Sequence, residues 1–109
     1  MATFDDFMKL DIRVGTITDA QILEKAKKPA YKLQVHFGEE IGLKKSSAQI
    51  TDCYKPEELI GKQVLAVINF PPRQIGNFMS EVLVLGTYSK GGVALITPDK
   101  PVKNGDKLG

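Results

Sequence analysis

The chain has a single cysteine and a single histidine among its 109 residues. Cys53 therefore has no partner for an intrachain disulfide, and no basic side chain stands directly beside it in sequence to activate it as a nucleophile. His36 lies inside an alternating apolar run, which predicts a position on the solvent face of a strand. These two residues are too few to build a typical zinc site, so we expect neither a metal nor a cofactor.

Long apolar runs are also missing. No stretch approaches the roughly twenty apolar residues of a membrane-spanning helix. The N-terminal segment contains Asp5 and Asp6 and lacks the apolar core of a signal peptide. We therefore expect a cytoplasmic protein without membrane insertion. A paired nucleophile and base and a glycine-rich phosphate loop are absent as well, so we predict that the protein is not an enzyme.

The net charge of +2 is too small to indicate a nucleic-acid-binding protein by itself. Lysines are nevertheless concentrated between residues 25 and 55, where few acidic residues accompany Lys25, Lys27, Lys28, Lys32, Lys44, Lys45 and Lys55. Two interpretations stay open. The lysines could form a basic face for a partner, or they could be a solvated surface that keeps the protein soluble.

The pattern of short β-branched runs separated by turn residues predicts an all-β domain over residues 1–109. Strands are expected at residues 11–20, 31–37, 43–50, 62–70, 80–87 and 93–96. A short helix starting at Pro56 falls between the third and fourth strands. This is the element order of a five-stranded OB-fold barrel, although an SH3-like barrel fits the same pattern.

Three local features refine this fold. Thr3 is a candidate N-cap for a short amphipathic helix over residues 4–10, which has to dock on its own domain or on a second copy. Gly15 inside the first strand predicts a bulge or a sharp bend. The segment from Pro98 to the C-terminus is turn-rich, and we expect it to pack poorly by itself.

A segment at residues 62–86 carries the most unusual chemistry of the chain. Two apolar runs, Val64–Ile68 and Val82–Leu85, flank it and are predicted to be strands buried on both faces. Pro71 and Pro72 between them remove two backbone donors and fix two φ angles, which excludes an ordinary β-ladder. We predict a stiff, solvent-facing edge that displays side chains for binding.

Motifs at residues 46–51, 54–64, 67–75 and 80–86 follow in a fixed order, and through them the sequence resembles the tRNA-binding domain family. This family is an OB-fold module that is attached to some methionyl- and phenylalanyl-tRNA synthetases. Within it, the likeness is to free-standing, homodimeric members described as secretion-related chaperones. The resemblance implies a homodimer formed by N- and C-terminal extensions outside the barrel. Where tRNA-binding members usually carry Gly-Met, this chain has Val82-Leu83, a substitution that the chaperone-type members share.

The candidate binding residues lie on and around the proline segment and the lysine-rich third strand: Lys32, Lys44, Lys45, Ser47, Gln49, Asn69, Phe70, Arg73, Phe78 and Ser80. One hypothesis is a tRNA-binding protein, in which the lysines meet phosphates and the phenylalanines stack on unpaired bases. The preferred hypothesis is an export-related chaperone that binds unfolded polypeptides in an apolar groove on the same surface. For Phe70 and Phe78, burial in the core or in a dimer contact is the alternative, and for Asn69 the alternative is that it satisfies backbone groups at the turn.

Overall fold

The computed structural model describes residues 1–109, and its elements follow one another as α1 (Phe4–Met8), β1 (Ile12–Ile22), β2 (Tyr31–His36), β3 (Leu43–Ala48), α2 (Pro56–Leu59), β4 (Gln63–Val67), β5 (Arg73–Ile75), β6 (Phe78–Ser80), β7 (Leu83–Val84), β8 (Gly86–Ser89) and β9 (Gly92–Leu95). Five antiparallel strands form the main sheet in the order β3-β2-β1-β4-β7. The pairs β5–β6 and β8–β9 are separate hairpins. Neither helix has the length or apolar character needed to cross a bilayer.

The main sheet curls into a nearly closed barrel because β1 serves two neighbours in turn. Its first part, Ile12–Thr16, pairs with β4, and its second part, from Thr16 onward, pairs with β2. The far edges meet where the backbone N–H of Glu81 donates to the Lys45 carbonyl oxygen at 2.8 Å. With α2 between β3 and β4, this is the predicted all-β OB-fold, and that prediction is confirmed.

Alternation along β2 and β4 explains the core. Leu33 and Val35 of β2 point inward together with Phe37, as predicted, and all three are almost completely buried. Along β4, Val64 packs into the larger cluster inside the barrel and Leu65 into a smaller one on the other face. The prediction that this run is buried on both faces is therefore confirmed for β4.

The second apolar run, Val82–Leu85, behaves differently from the prediction. Val82 is buried, but the side chain of Leu83 is 46% exposed. The predicted single strand over 80–87 is also wrong, because the chain divides there into the end of β6, the two-residue β7 and the separate β8. The cause is local: the N–H groups of Glu81 and Val82 both turn toward the Lys45 carbonyl and interrupt the ladder.

Gly15 has a different role from the predicted bulge. A Cβ atom there would lie 2.6 Å from Val35 Cγ1 and 2.8 Å from Phe37 Cδ1, so the site needs glycine because two core side chains press against the strand. The register shift of β1 lies three residues later, between Ile17 and Asp19. The bulge belongs to Thr18 rather than to Gly15.

Both terminal segments pack on the barrel. Thr3 caps α1 as predicted, and its side chain and that of Asp6 each bond the other's backbone N–H. The C-terminal segment does not pack poorly, contrary to expectation. Its Gly105 N–H donates to the Val14 carbonyl and its Leu108 N–H to the Ile12 carbonyl, both at 2.8 Å, which adds a short pairing along β1.

Candidate ligand-binding groove

A groove of about 990 Å³ lies beside the point where the barrel closes. Its walls come from the β1–β2 connection, the end of β3, the hairpin β5–β6 and the segment from Ser80 to the hairpin β8–β9. The lining includes Lys25, Lys27, Lys28, Ser47, Gln49, Ile50, Phe70, Pro71, Arg73, Gln74, Ile75, Ser80, Glu81, Val82, Leu83, Val84, Tyr88, Val93 and Leu95. The size is at the upper end of the range for small-ligand sites.

One wall of the groove is the face of the hairpin β8–β9. Gly86 lies opposite Leu95 in this hairpin and Tyr88 opposite Val93, so all four stand on the same face and line the groove. Tyr88 is 99% exposed, and Val93 and Leu95 add apolar side chains to the lining. Tyr54 anchors the hairpin, since its hydroxyl accepts the Leu95 N–H at 2.9 Å.

The groove is positively charged. Lys25, Lys27, Lys28 and Arg73 line it, against the carboxylate of Glu81 alone. None of these cations takes part in an ion pair, because the ion pairs of the structure are Lys9–Asp6 and Arg13–Asp11. Their charge therefore remains available to an anionic ligand. The Asp11 carboxylate raises the pKa of the Arg13 guanidinium by accepting its hydrogen bond, outside the groove.

Half of the predicted binding residues line the groove: Ser47, Gln49, Phe70, Arg73 and Ser80. The exposed Arg73 and Gln49 side chains make no hydrogen bond within the protein. Ser80 is buried, and its hydroxyl accepts the Ser47 N–H at 3.0 Å while donating to the Val82 carbonyl at 3.2 Å. The Ser80 hydroxyl thus holds β3 against β6.

The other predicted residues lie elsewhere. Lys32, Lys45 and Phe78 line a separate hollow of about 160 Å³ on the outside of the sheet, where Lys45 Nζ stands 5.5 Å from the Phe78 ring centroid. Lys44 and Asn69 line neither site. The Asn69 side chain accepts the Asp11 N–H at 2.9 Å and donates to the Lys9 carbonyl at 2.8 Å, so it ties the end of β4 to the N-terminal segment.

Several lining residues are not among the candidate binding residues of the sequence analysis: Lys25, Lys27, Lys28, Tyr88, Val93 and Leu95. The three lysines belonged to the lysine-rich stretch, so their charge was a usable signal. Nothing in the spacing of Tyr88 or Leu95 shows that β8 and β9 leave the main sheet and turn a face toward the proline segment. No three His, Cys, Asp or Glu side chains gather closely enough to hold a metal ion.

Comparison with known proteins agrees with the fold. Residues 12–107 match the model of the family described as "Putative tRNA binding domain". A methionine–tRNA ligase from Parabacteroides distasonis is 44% identical over 108 residues, which are 96% of this chain and 15% of that ligase. The chain therefore belongs to the tRNA-binding domain family, and it spans about 15% of the length of the curated relatives it matches.

Within that family the chain resembles the CsaA chaperones. The crystal structure of the CsaA chaperone from Picrophilus torridus is 56% identical with a TM-score of 0.96, and each chain covers 100% of the other. The CsaA structure from Bacillus anthracis is 50% identical with a TM-score of 0.93, over 100% of this chain and 99% of that one. The match thus includes the terminal segments as well as the barrel.

Proposed function

We propose that the protein is a chaperone that binds unfolded segments of other polypeptides in the groove. The observation that carries this proposal is the composition of the groove, which is lined by apolar side chains such as Val93 and Leu95 and by the free hydrogen-bonding side chains of Gln49 and Arg73. An unfolded segment offers apolar side chains and unpaired backbone groups together, and this surface can accept both. The full-length likeness to the CsaA chaperones supports the proposal.

Two exposed rings are the expected anchors for such a segment. Phe70 and Tyr88 both line the groove and both are solvent-exposed in the free protein. Aromatic rings that become buried on binding supply large apolar contacts at a small cost in side-chain entropy. We propose that export precursors in the cytoplasm, before they fold, are the natural clients.

The test measures suppression of aggregation of a chemically unfolded precursor, together with its affinity for the protein. Replacing both rings, Phe70→Ala with Tyr88→Ala, is expected to weaken binding by about tenfold or more. Ile60→Ala is the matched control, because Ile60 is an exposed apolar residue outside the groove. If the double variant protects the precursor as well as the control does, the groove is not the binding site.

A second candidate is tRNA binding, favoured by the four unpaired cations of the groove, Lys25, Lys27, Lys28 and Arg73. Phosphate contacts release counterions, so tRNA affinity should fall steeply between about 0.05 M and about 0.5 M salt. Arg73→Ala should reduce the salt slope by about one, whereas Lys100→Ala, outside the groove, is the control. If the affinity for tRNA changes neither with salt concentration nor in Arg73→Ala, this candidate is eliminated.

We also propose that two copies associate through the terminal segments. Phe4 of α1 is 73% exposed, and Met8 and Leu108 are exposed as well, which leaves apolar surface at both ends of the chain. Mass measurement in solution is expected to give a dimer, and Phe4→Ser is expected to shift it toward monomer. A wild-type monomer at micromolar concentration would contradict this proposal.

A further inference from the structure

The two hairpins that border the groove turn different sides toward it: one turns a face and the other an edge. From β8–β9, alternate residues line it, as expected when a hairpin shows one face. From the other hairpin, the consecutive residues Arg73, Gln74, Ile75 and Gly76 all line it, whereas β6 contributes Ser80 and neither Phe78 nor Met79. Consecutive residues border a cavity together when a strand shows it an edge. The groove therefore runs along the edge of β5.

The edge of β5 differs from the edge of β3, which side chains of the same protein cover with hydrogen bonds. The outward N–H groups of Lys45 and Ser47 in β3 donate to the Glu81 carboxylate and the Ser80 hydroxyl, both at 3.0 Å. No comparable bond covers β5, which pairs with β6 alone and has no other strand beside it. An unpaired edge is a template for another strand unless it is blocked.

The turn of the hairpin identifies which backbone groups are free. Gly76 has a φ of +60° and begins the two-residue turn between Ile75 and Phe78, as in a type II′ hairpin. Such a turn closes on the hydrogen-bonded pair Ile75–Phe78, and pairs then alternate along the ladder. The next pair is Gln74–Met79, so the N–H and C=O of Gln74 point away from β6, and Gln74 is a residue that lines the groove.

We propose that an unfolded polypeptide segment binds in the groove by pairing with the open edge of β5 as an additional strand. This inference rests on the proposed chaperone function and specifies how its ligand is held. Main-chain pairing accepts many sequences, since every residue except proline offers the same N–H and C=O. The occupant carries net negative charge, because Lys25, Lys27, Lys28 and Arg73 face a single carboxylate, that of Glu81.

The first test uses a short unfolded peptide of alternating valine and glutamate, with one amide at a time replaced by an ester. Each ester removes one N–H donor while keeping the side chain. Because Gln74 has the outward N–H and C=O of β5, strand addition predicts that affinity falls roughly 2- to 10-fold at the position whose N–H donates to the Gln74 carbonyl and little at its two neighbours. Equal affinity at all positions would overturn edge pairing and leave groove binding intact. If the parent peptide does not bind, or only tRNA binds, both proposals fail.

The second test changes the edge itself. Gln74→Pro removes the outward N–H, and proline is tolerated on edge strands whose N–H faces solvent. Gln74→Ala removes the same side chain and keeps the donor, so the affinity ratio of the two variants isolates the backbone group. A ratio of about tenfold in favour of alanine is expected. Equal affinities would contradict strand addition.

Hydrogen exchange in the wild-type protein covers the case in which the proline variant does not fold. Peptide binding should slow exchange of the Gln74 amide and leave that of Tyr88, in the hairpin β8–β9, less affected, because strand addition bonds to β5 alone. Unchanged exchange at Gln74 in the saturated complex would overturn the proposal.

Discussion

The two halves of the chain build different kinds of structure from similar residues. Before residue 68, strands of five or more residues pair continuously and enclose a core in which Leu33 is 2% exposed. After it, the strands have two to four residues; β7 still joins the main sheet, but the other four form two separate hairpins, and Leu83 is 46% exposed. Pro71 and Pro72, and the turn of Glu81 and Val82 toward Lys45, interrupt the second half. The contrast shows that broken ladders leave the surfaces and edges that border the candidate groove.

The largest expected difference between the halves is the cost of truncating a leucine. Leu33→Ala should lower the free energy of unfolding by about 2–5 kcal/mol, because it leaves a cavity in the barrel. Leu83→Ala should cost about 1 kcal/mol or less, since this side chain is already partly in water. Urea denaturation of both variants measures the difference. Equal losses would mean that the second half is packed as tightly as the first.

A smaller effect is expected where the halves are joined. Ser80→Ala should cost about 1–3 kcal/mol, because the Ser47 N–H would lose its acceptor at a buried site. Ser89→Ala is the matched control, since the Ser89 hydroxyl contacts only the exposed Thr87 hydroxyl. Thermal unfolding compares the two. A Ser80→Ala variant as stable as the control would show that the closure at Ser80 does not depend on this bond.

A third change acts on the hairpin beside the groove. Gly76→Ala should cost about 1–2 kcal/mol, because its φ of +60° disfavours a side chain and the new Cβ would lie 2.8 Å from the Lys25 carbonyl oxygen. It should also weaken peptide binding by displacing β5. Gly91→Ala, with open space around it, is the control for both measurements. If Gly76→Ala binds the peptide as tightly as Gly91→Ala does, the hairpin β5–β6 is not part of the binding site.

The smallest effect concerns the first turn of α1. The Asp6 carboxylate accepts the Thr3 N–H, and this hydrogen bond lowers the pKa of Asp6. Its contribution is therefore fully present above the ordinary carboxyl pKa of about 4 and is lost as the pH falls through the lowered value. Amide chemical shifts over residues 4–8 should move toward coil values at acidic pH, while those of β4, which has no titratable side chain, should not. In Asp6→Asn this movement toward coil values should be largely lost.

Local pattern was enough to predict the barrel but not the groove. The alternation of Leu33, Val35 and Phe37 and the position of α2 led to the OB-fold, because each signal is contained within one element. The bulge was misplaced to Gly15, since a glycine in a strand looks the same whether it relieves a bulge or a close contact. Only the partner strand, which presses Val35 against it, tells the two apart.

The candidate site was predicted only in part, again because local pattern does not show which way a short strand faces. Arg73 and Phe70 were found from the proline segment in which they lie, and they line the groove. Phe78 is only five residues from Arg73, but it lies on the other strand of the hairpin and borders a different hollow. A three-residue strand gives too little alternation to show which way it faces, so the hairpin β5–β6 had no detectable periodicity.

The bonds that cover the edge of β3 have a consequence for how the chain reaches its native state. Ser80 and Glu81 lie 33 and 36 residues beyond the donors that they satisfy. A nascent chain in which β1, β2 and β3 have emerged from the ribosome therefore holds a sheet with an uncovered rim until those two residues follow. During that interval the chain exposes unpaired backbone groups, as the unfolded proteins that chaperones bind also do. Translation that pauses before Ser80 should therefore favour self-association.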